Sequence, residues 1–245
     1  PDSSEELEEY LEHVTSYDLA DVSFLPVIPD PGKILCIGLN YEKHRVETKR
    51  PESEFPTIFT RFPDTQVAHR ESVIKPSVSE RVDFEGELAV IIGKGGKNIT
   101  VSEAMKTIIG FSCYNDVSIR DYQRHTSQFT PGKNFSKTGG FGPFLTMSSS
   151  IENYKDLTLK TLLNGETVQD AKLDQLIFSI PELISYISTF TPLTPGDVIV
   201  SGTPGGVGDR RDPPLYMNKG DIVEVEISQI GKLINPILDE ESIIS

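Results

Sequence analysis

Apolar residues along this chain fall mostly into short runs bounded by Gly, Pro, Asn and Asp, the punctuation of strands rather than of long helices. Runs of this kind cover 33–38 (KILCIG), 57–62, 88–92, 111–114, 197–201 and 221–227. In the last of these, VEVEI alternates with the period of two expected of a half-exposed strand. Helical spacing is convincing in fewer places. Residues 3–13 carry Ser3 or Ser4 as a cap, acidic residues in the first turn, and Leu7, Tyr10 and Leu11 at helical intervals. Residues 101–109 (VSEAMKTII) and 180–190 also read as helices, the second with Pro181 in its first turn. Many strands and few helices predict a mostly-β domain of the sandwich, roll or barrel kind.

Residues 24–33 (FLPVIPDPGK) hold three prolines and a glycine and read as a linker. Residues 1–30 are therefore expected to be the remnant of a small N-terminal region with its linker, and 31–245 the main domain. The stretch 45–55 (RVETKRPESEF) is charged, contains Pro and lacks periodicity, so it is a candidate mobile loop.

Charge narrows the function classes. Asp and Glu number 37 against 23 Lys and Arg, a formal net charge of -14. A nucleic-acid binder normally shows the opposite balance or a basic stripe, and none is visible. No apolar run approaches the roughly 18 residues that span a bilayer. Neither nucleic acid nor membrane is an expected partner. An anionic substrate would have to be drawn in by local Lys and Arg or by a bound cation. The two cysteines, Cys36 and Cys113, form no CxxC pair and suit a reducing compartment. A cytoplasmic setting is expected, with an organelle as the alternative.

Candidate chemistry begins at Asp83-Phe84-Glu85-Gly86-Glu87, which runs into an apolar strand. Positions i and i+2 of a strand face one side, so Glu85 and Glu87 project together. Their charges repel, and one carboxylate goes neutral unless a cation sits between them. Hard cations, magnesium first and then manganese or calcium, prefer such oxygen donors. A solvated strand edge protected by acidic residues gives the same letters. Asp116 ends another apolar run and adds a third carboxylate, although it can equally cap a helix starting at 116–120. His44 and Glu47 are three apart, neighbours on a helical turn, and a carboxylate beside an imidazole fixes its tautomer for proton transfer. An exposed surface pair reads identically. The glycine-rich segments 131–143 and 201–208 fit no nucleotide-binding loop. They are tight turns, or places where backbone amides approach an anion closely.

Taken in order, PGKILCIGLNYEKH, DFEGELAVIIG, GFSCYNDVSIRDYQ, GKNFSKTGGFGP, LTPGDVIVSGTPGGVG and GDIVEVEI resemble the fumarylacetoacetate hydrolase family over about residues 31–237. The likeness is to its smaller members: acylpyruvate hydrolases, oxaloacetate decarboxylases and hydroxyheptadienedioate isomerases. It implies a mixed β-sandwich roll with a few helices, a homodimer, and a lid in the loop after the histidine. The family's metal carboxylates fall on Glu85, Glu87 and Asp116, holding Mg2+ (or Mn2+ or Ca2+). Its catalytic His–Glu pair falls on His44 and Glu47, with Lys133 beside them. Substrate contacts fall on Arg120, Gln123, Lys133 and Thr203. The activity so implied is divalent-metal-dependent hydrolysis of a carbon–carbon bond in a 2,4-dioxo acid. Decarboxylation or isomerisation of a related small anionic oxo-acid is the alternative, and a non-catalytic oxo-acid binder is a further one.

Overall fold

The computed structural model describes residues 14–49 and 51–241; the helix expected over 3–13 lies outside them. Residues 22–33 run without helix or strand. They are followed by β1 (Ile34–Gly38), the short helix α1 (Glu42–Glu47), β2 (Thr57–Arg61), β3 (Gln66–Val67), β4 (Val73–Lys75), β5 (Val82–Asp83) and β6 (Gly86–Ile92). Next come α2 (Val101–Ala104), β7 (Ile108–Asp116), β8 (Ser118–Ile119), α3 (Arg120–Gln123), α4 (Thr130–Lys133), β9 (Gly139–Met147), β10 (Thr158–Leu163) and β11 (Glu166–Lys172). The chain finishes with α5 (Ile180–Phe190), β12 (Val198–Val200), β13 (Ile222–Ile227) and β14 (Gly231–Asp239).

A seven-stranded sheet in the order β2-β1-β12-β6-β7-β9-β3 packs against a five-stranded one, β11-β10-β13-β14-β4, and β5 pairs with β8. Pairs β1–β12, β3–β9 and β4–β14 are parallel and the rest antiparallel. This is a mostly-β domain, as the strand pattern predicts, with the mixed sheets that the resemblance implies. The alternation of β6 explains its apolar run. Leu88, Val90 and Ile92 face the five-stranded sheet and α5, whereas Ala89 and Ile91 face a second cluster with Ile34, Cys36, Tyr114 and Val200. A strand covered on both faces has no polar side to show. In β13 the alternation is real: Val223, Val225 and Ile227 are buried, and Glu224 and Glu226 are partly exposed. Helix α5 buries Ile180, Leu183, Ile184 and Ile187 at i, i+3, i+4 and i+7, each worth about 1.5–3 kcal/mol on full burial.

Three local readings change. The helix expected over 101–109 ends early, and Ile108 and Ile109 open β7, because the β-branched run favours a strand and Ile108 pairs with Ile92. Arg45–Glu47 belong to α1 rather than to a loop. Asp116 closes β7 and is followed by β8, so it caps no helix. Both cysteines are free and buried. Among the described residues no helix is long and apolar enough to cross a membrane.

Candidate active site

Strand parity builds the acidic centre. Glu85, Glu87, Ala89 and Ile91 share one face at β6, and Tyr114 and Asp116 share that face on neighbouring β7. The amide of Asp116 donates to the carbonyl of Glu85 at 2.9 Å, which brings the two strand ends together. Glu85, Glu87 and Asp116 are all buried, and each offers a carboxylate oxygen within 4.8 Å of the others.

Two of the three have cationic partners. Lys133 Nζ lies 2.7 Å from Glu85 Oε2 and 2.6 Å from Asp116 Oδ2. Arg120 Nη1 is 2.7 Å from Glu85 Oε1, and Arg61 Nη1 is 2.7 Å from Asp116 Oδ1. Glu87 instead accepts a 2.5 Å hydrogen bond from the Gly202 amide. The acidities separate accordingly. Burial opposes the charged form of Glu85, yet Lys133 and Arg120 outweigh it and hold the carboxyl down at about 2. Burial, and then repulsion from Asp116 and Glu85, push Glu87 well above the usual carboxylate range. Lys133 is raised despite its burial, because Asp116 and Glu85 favour the ammonium. The donor set fits a hard divalent cation: all ligand atoms are oxygen, and Glu87 is the carboxylate whose charge no side-chain cation meets. Lys133 also lies over the Phe59 ring, 5.0 Å from its centroid.

His44, on α1, is 6% exposed and lines the cleft in front of Glu85 and Glu87. Its Nδ1 is 2.8 Å from Glu47 Oε1. A carboxylate there accepts, so Nδ1 carries the proton and Nε2 is the nitrogen left for chemistry. Arg120, Gln123, Lys133 and Thr203 line the same cleft. Gln123 Oε1 accepts from Arg120 Nη1 at 3.0 Å, while Arg120 Nη2 is buried with no hydrogen-bond partner among the described residues. Thr203 turns partly away: its hydroxyl donates to the Gly86 carbonyl at 3.1 Å and accepts from Gln169 Nε2 at 2.9 Å.

The second glycine-rich segment is an anion-binding loop for the chain's own carboxylates. Gly202 donates to Glu87, Gly206 to Glu47 Oε2 at 2.9 Å, and Gly208 and Asp209 to the two oxygens of Asp83 at 2.8 and 2.9 Å. Asp83 in turn accepts from Arg120 Nε at 2.8 Å, so one loop orients a carboxylate of the acidic centre, the histidine's partner and the arginine's anchor. Asn40 fixes the loop's start by donating to the Ser201 carbonyl at 2.8 Å. Gly202 has φ +105°, and a Cβ there would lie 2.7 Å from the Cβ of Asn40. Gly202→Ala is thus expected to cost about 1–3 kcal/mol and to loosen the amide on Glu87. Urea unfolding beside a magnesium titration checks this, and a variant matching wild type in both would show the contact to be incidental. Gly132 differs from the turn reading. It sits inside α4 at negative φ and is small because Gln123 N would lie 2.4 Å from a Cβ.

Several site residues escaped the sequence. Arg61 and Phe59 point inward from β2 at i and i+2, and a buried charge in a short strand was the available signal. Asp83 stands in the same motif as Glu85, two residues earlier, and parity alone groups the three. Arg124, Asp209 and Arg210 complete the outer wall and carry no local pattern.

The family model described as fumarylacetoacetate (FAA) hydrolase C-terminal matches residues 33–238. The mitochondrial oxaloacetate tautomerase FAHD2A of Bos taurus is 39% identical over 221 residues, covering 89% of this chain and 70% of that protein. Among solved structures, 5-carboxymethyl-2-hydroxymuconate delta-isomerase from Mycobacterium smegmatis superposes with a TM-score of 0.81 at 32% identity, covering 93% of this chain and 86% of the other. The 2-hydroxyhepta-2,4-diene-1,7-dioate isomerase from Mycobacterium marinum gives 0.81 at 32%, covering 93% and 82%. A matched model over most of the chain, and enzyme relatives at these identities, make this protein a member of the fumarylacetoacetate hydrolase family.

Proposed function

We propose that the protein interconverts tautomers or double-bond isomers of a small 2-oxo acid, with His44 carrying the proton. The observation that carries this reading is the cleft lined together by an imidazole with Nδ1 anchored on Glu47, by Glu85 and Glu87 of the acidic centre, and by Arg120. The names of the relatives, a tautomerase and two isomerases, favour proton transfer over the carbon–carbon hydrolysis that the resemblance put first.

Glu85, Glu87 and Asp116 would hold a divalent cation, which would supply Lewis-acid polarisation of the oxo-acid head. Arg120 offers its free Nη2 to a carboxylate oxygen, and Gln123 steadies the guanidinium from the other side. His44 Nε2 takes a proton from the carbon next to the 2-oxo group, and Glu47 balances the imidazolium that forms. Negative charge growing on the oxygen is met by the Lys133 ammonium. The imidazolium then returns its proton to that oxygen, giving the enol; the reverse order gives the keto acid. Phe59 and Phe129 line the cleft and keep part of its wall dry. The homodimer implied by the resemblance is part of this proposal.

Hydrolysis of a 2,4-dioxo acid such as an acylpyruvate is the second reading, favoured by the same anchored imidazole, which can also deprotonate water. NMR in D2O with magnesium separates the two. Deuterium entering carbon 3 of oxaloacetate, with acylpyruvates left uncleaved, is the expected result. Release of pyruvate from an acylpyruvate without such exchange would select hydrolysis.

A further inference from the structure

Three cations stand against the acidic centre, and they differ in what else they touch. Glu85, Glu87, Arg120 and Lys133 line the cleft, whereas Arg61 and Asp116 do not. Arg61 comes from β2, the outermost strand of the seven-stranded sheet, and its side chain is fully buried. Nη1 donates to Asp116 Oδ1 at 2.7 Å and to the Val117 carbonyl at 3.1 Å. Nη2 donates to the Thr138 hydroxyl at 2.6 Å, and that hydroxyl donates to the Phe135 carbonyl at 2.6 Å. These contacts fix the guanidinium against Asp116, and a guanidinium stays charged even when buried. Any effect of Arg61 on a bound ligand therefore passes through Asp116.

The balance of charge gives that effect a sign. Among the described residues, four buried carboxylates cluster here with three buried cations. Asp83, Glu85, Glu87 and Asp116 stand against Arg61, Arg120 and Lys133. Fully ionised, the cluster carries one net negative charge. A divalent cation alone turns it positive, in a buried place that salt hardly screens. Without Arg61 the cluster would carry two negative charges, which a divalent cation neutralises. With Arg61 present, an anion that chelates the cation has to remove the excess.

We infer that Arg61, by offsetting Asp116, makes the acidic centre take its divalent cation together with an anionic chelator rather than alone. This rests on Glu85, Glu87 and Asp116 being the cation's ligands, as proposed above. Arg61 is then a positioning residue with a tuned charge. Removing a purely structural arginine would let Asp116 drift and weaken the cation. Removing this one tightens it.

Magnesium is titrated by calorimetry into wild type, Arg61→Met and Arg61→Lys, with and without excess oxalate, correcting for magnesium oxalate formed in free solution. Wild type is expected to bind magnesium at least about tenfold more tightly with oxalate, and magnesium must tighten oxalate by the same factor. Arg61→Met should bind magnesium alone about tenfold more tightly than wild type and gain less from oxalate. Arg61→Lys keeps the charge and should stay closer to wild type. An Arg61→Met that binds magnesium alone no more tightly than wild type overturns the inference. So does an Arg61→Lys that binds it as tightly as Arg61→Met is expected to, or a wild type indifferent to oxalate, and these two decide the matter if Arg61→Met fails to fold. A wild type that takes no magnesium even with oxalate removes the ligand assignment itself, and this inference with it.

Discussion

Glu87→Gln is expected to weaken magnesium binding by about a hundredfold or more while leaving the cation-free protein at least as stable as wild type. The two effects have opposite signs because of where Glu87 stands. It is the member of the triad without a side-chain cation, and burial with its two acidic neighbours already disfavours its charge. An amide of the same shape still accepts from Gly202 and ends the repulsion, so the fold loses nothing. The cation loses a charged ligand. Glu85→Gln behaves differently, since it strips Lys133 and Arg120 of a buried partner. Breaking such a pair costs about 3–5 kcal/mol. Calorimetric magnesium titration beside urea unfolding reads both quantities. A Glu87→Gln variant that binds magnesium as tightly as wild type would take Glu87 out of the ligand set.

His44→Ala should lower turnover of the oxo-acid by about 10²- to 10⁴-fold, the usual contribution of a positioned general base. Magnesium affinity should stay unchanged, because the imidazole belongs to α1 and the three carboxylates belong to the sheet. Glu47→Gln removes the charge that balances the imidazolium but keeps a hydrogen-bonding partner at Nδ1. Its loss should be smaller, and it should fall on kcat rather than on KM. Full turnover in His44→Ala would move the proton-transfer role to another residue in the cleft, with Lys133 the nearest candidate.

Legibility in the sequence followed the range of each interaction. Parity within a strand is local, so the shared face of Glu85 and Glu87 could be read directly, as could the alternation of β13 and the buried stripe of α5. The junction of α2 and β7 could not, because Thr107, Ile108 and Ile109 suit both states and pairing with Ile92 decides between them. Family resemblance supplied His44, Lys133 and Arg120 in their roles. Local pattern alone left the His44–Glu47 pair indistinguishable from a surface contact. Neither route found Arg61, whose partner Asp116 is 55 residues away and whose whole effect is long-range. The loop 201–209 was recognised as glycine-rich, but its amides serve three carboxylates from two distant segments, α1 and residues 83–87. No local rule encodes that destination.

Proton transfer on a 2-oxo acid at this site is expected to depend on the cation. Its most direct test follows the conversion of the enol of oxaloacetate to the keto form by absorbance, with wild-type protein treated with chelator and then resupplied with magnesium. The prediction is a rate that falls to the uncatalysed level under chelation and returns on adding magnesium to the protein. A rate unchanged by chelation, or no acceleration with magnesium present, would contradict it.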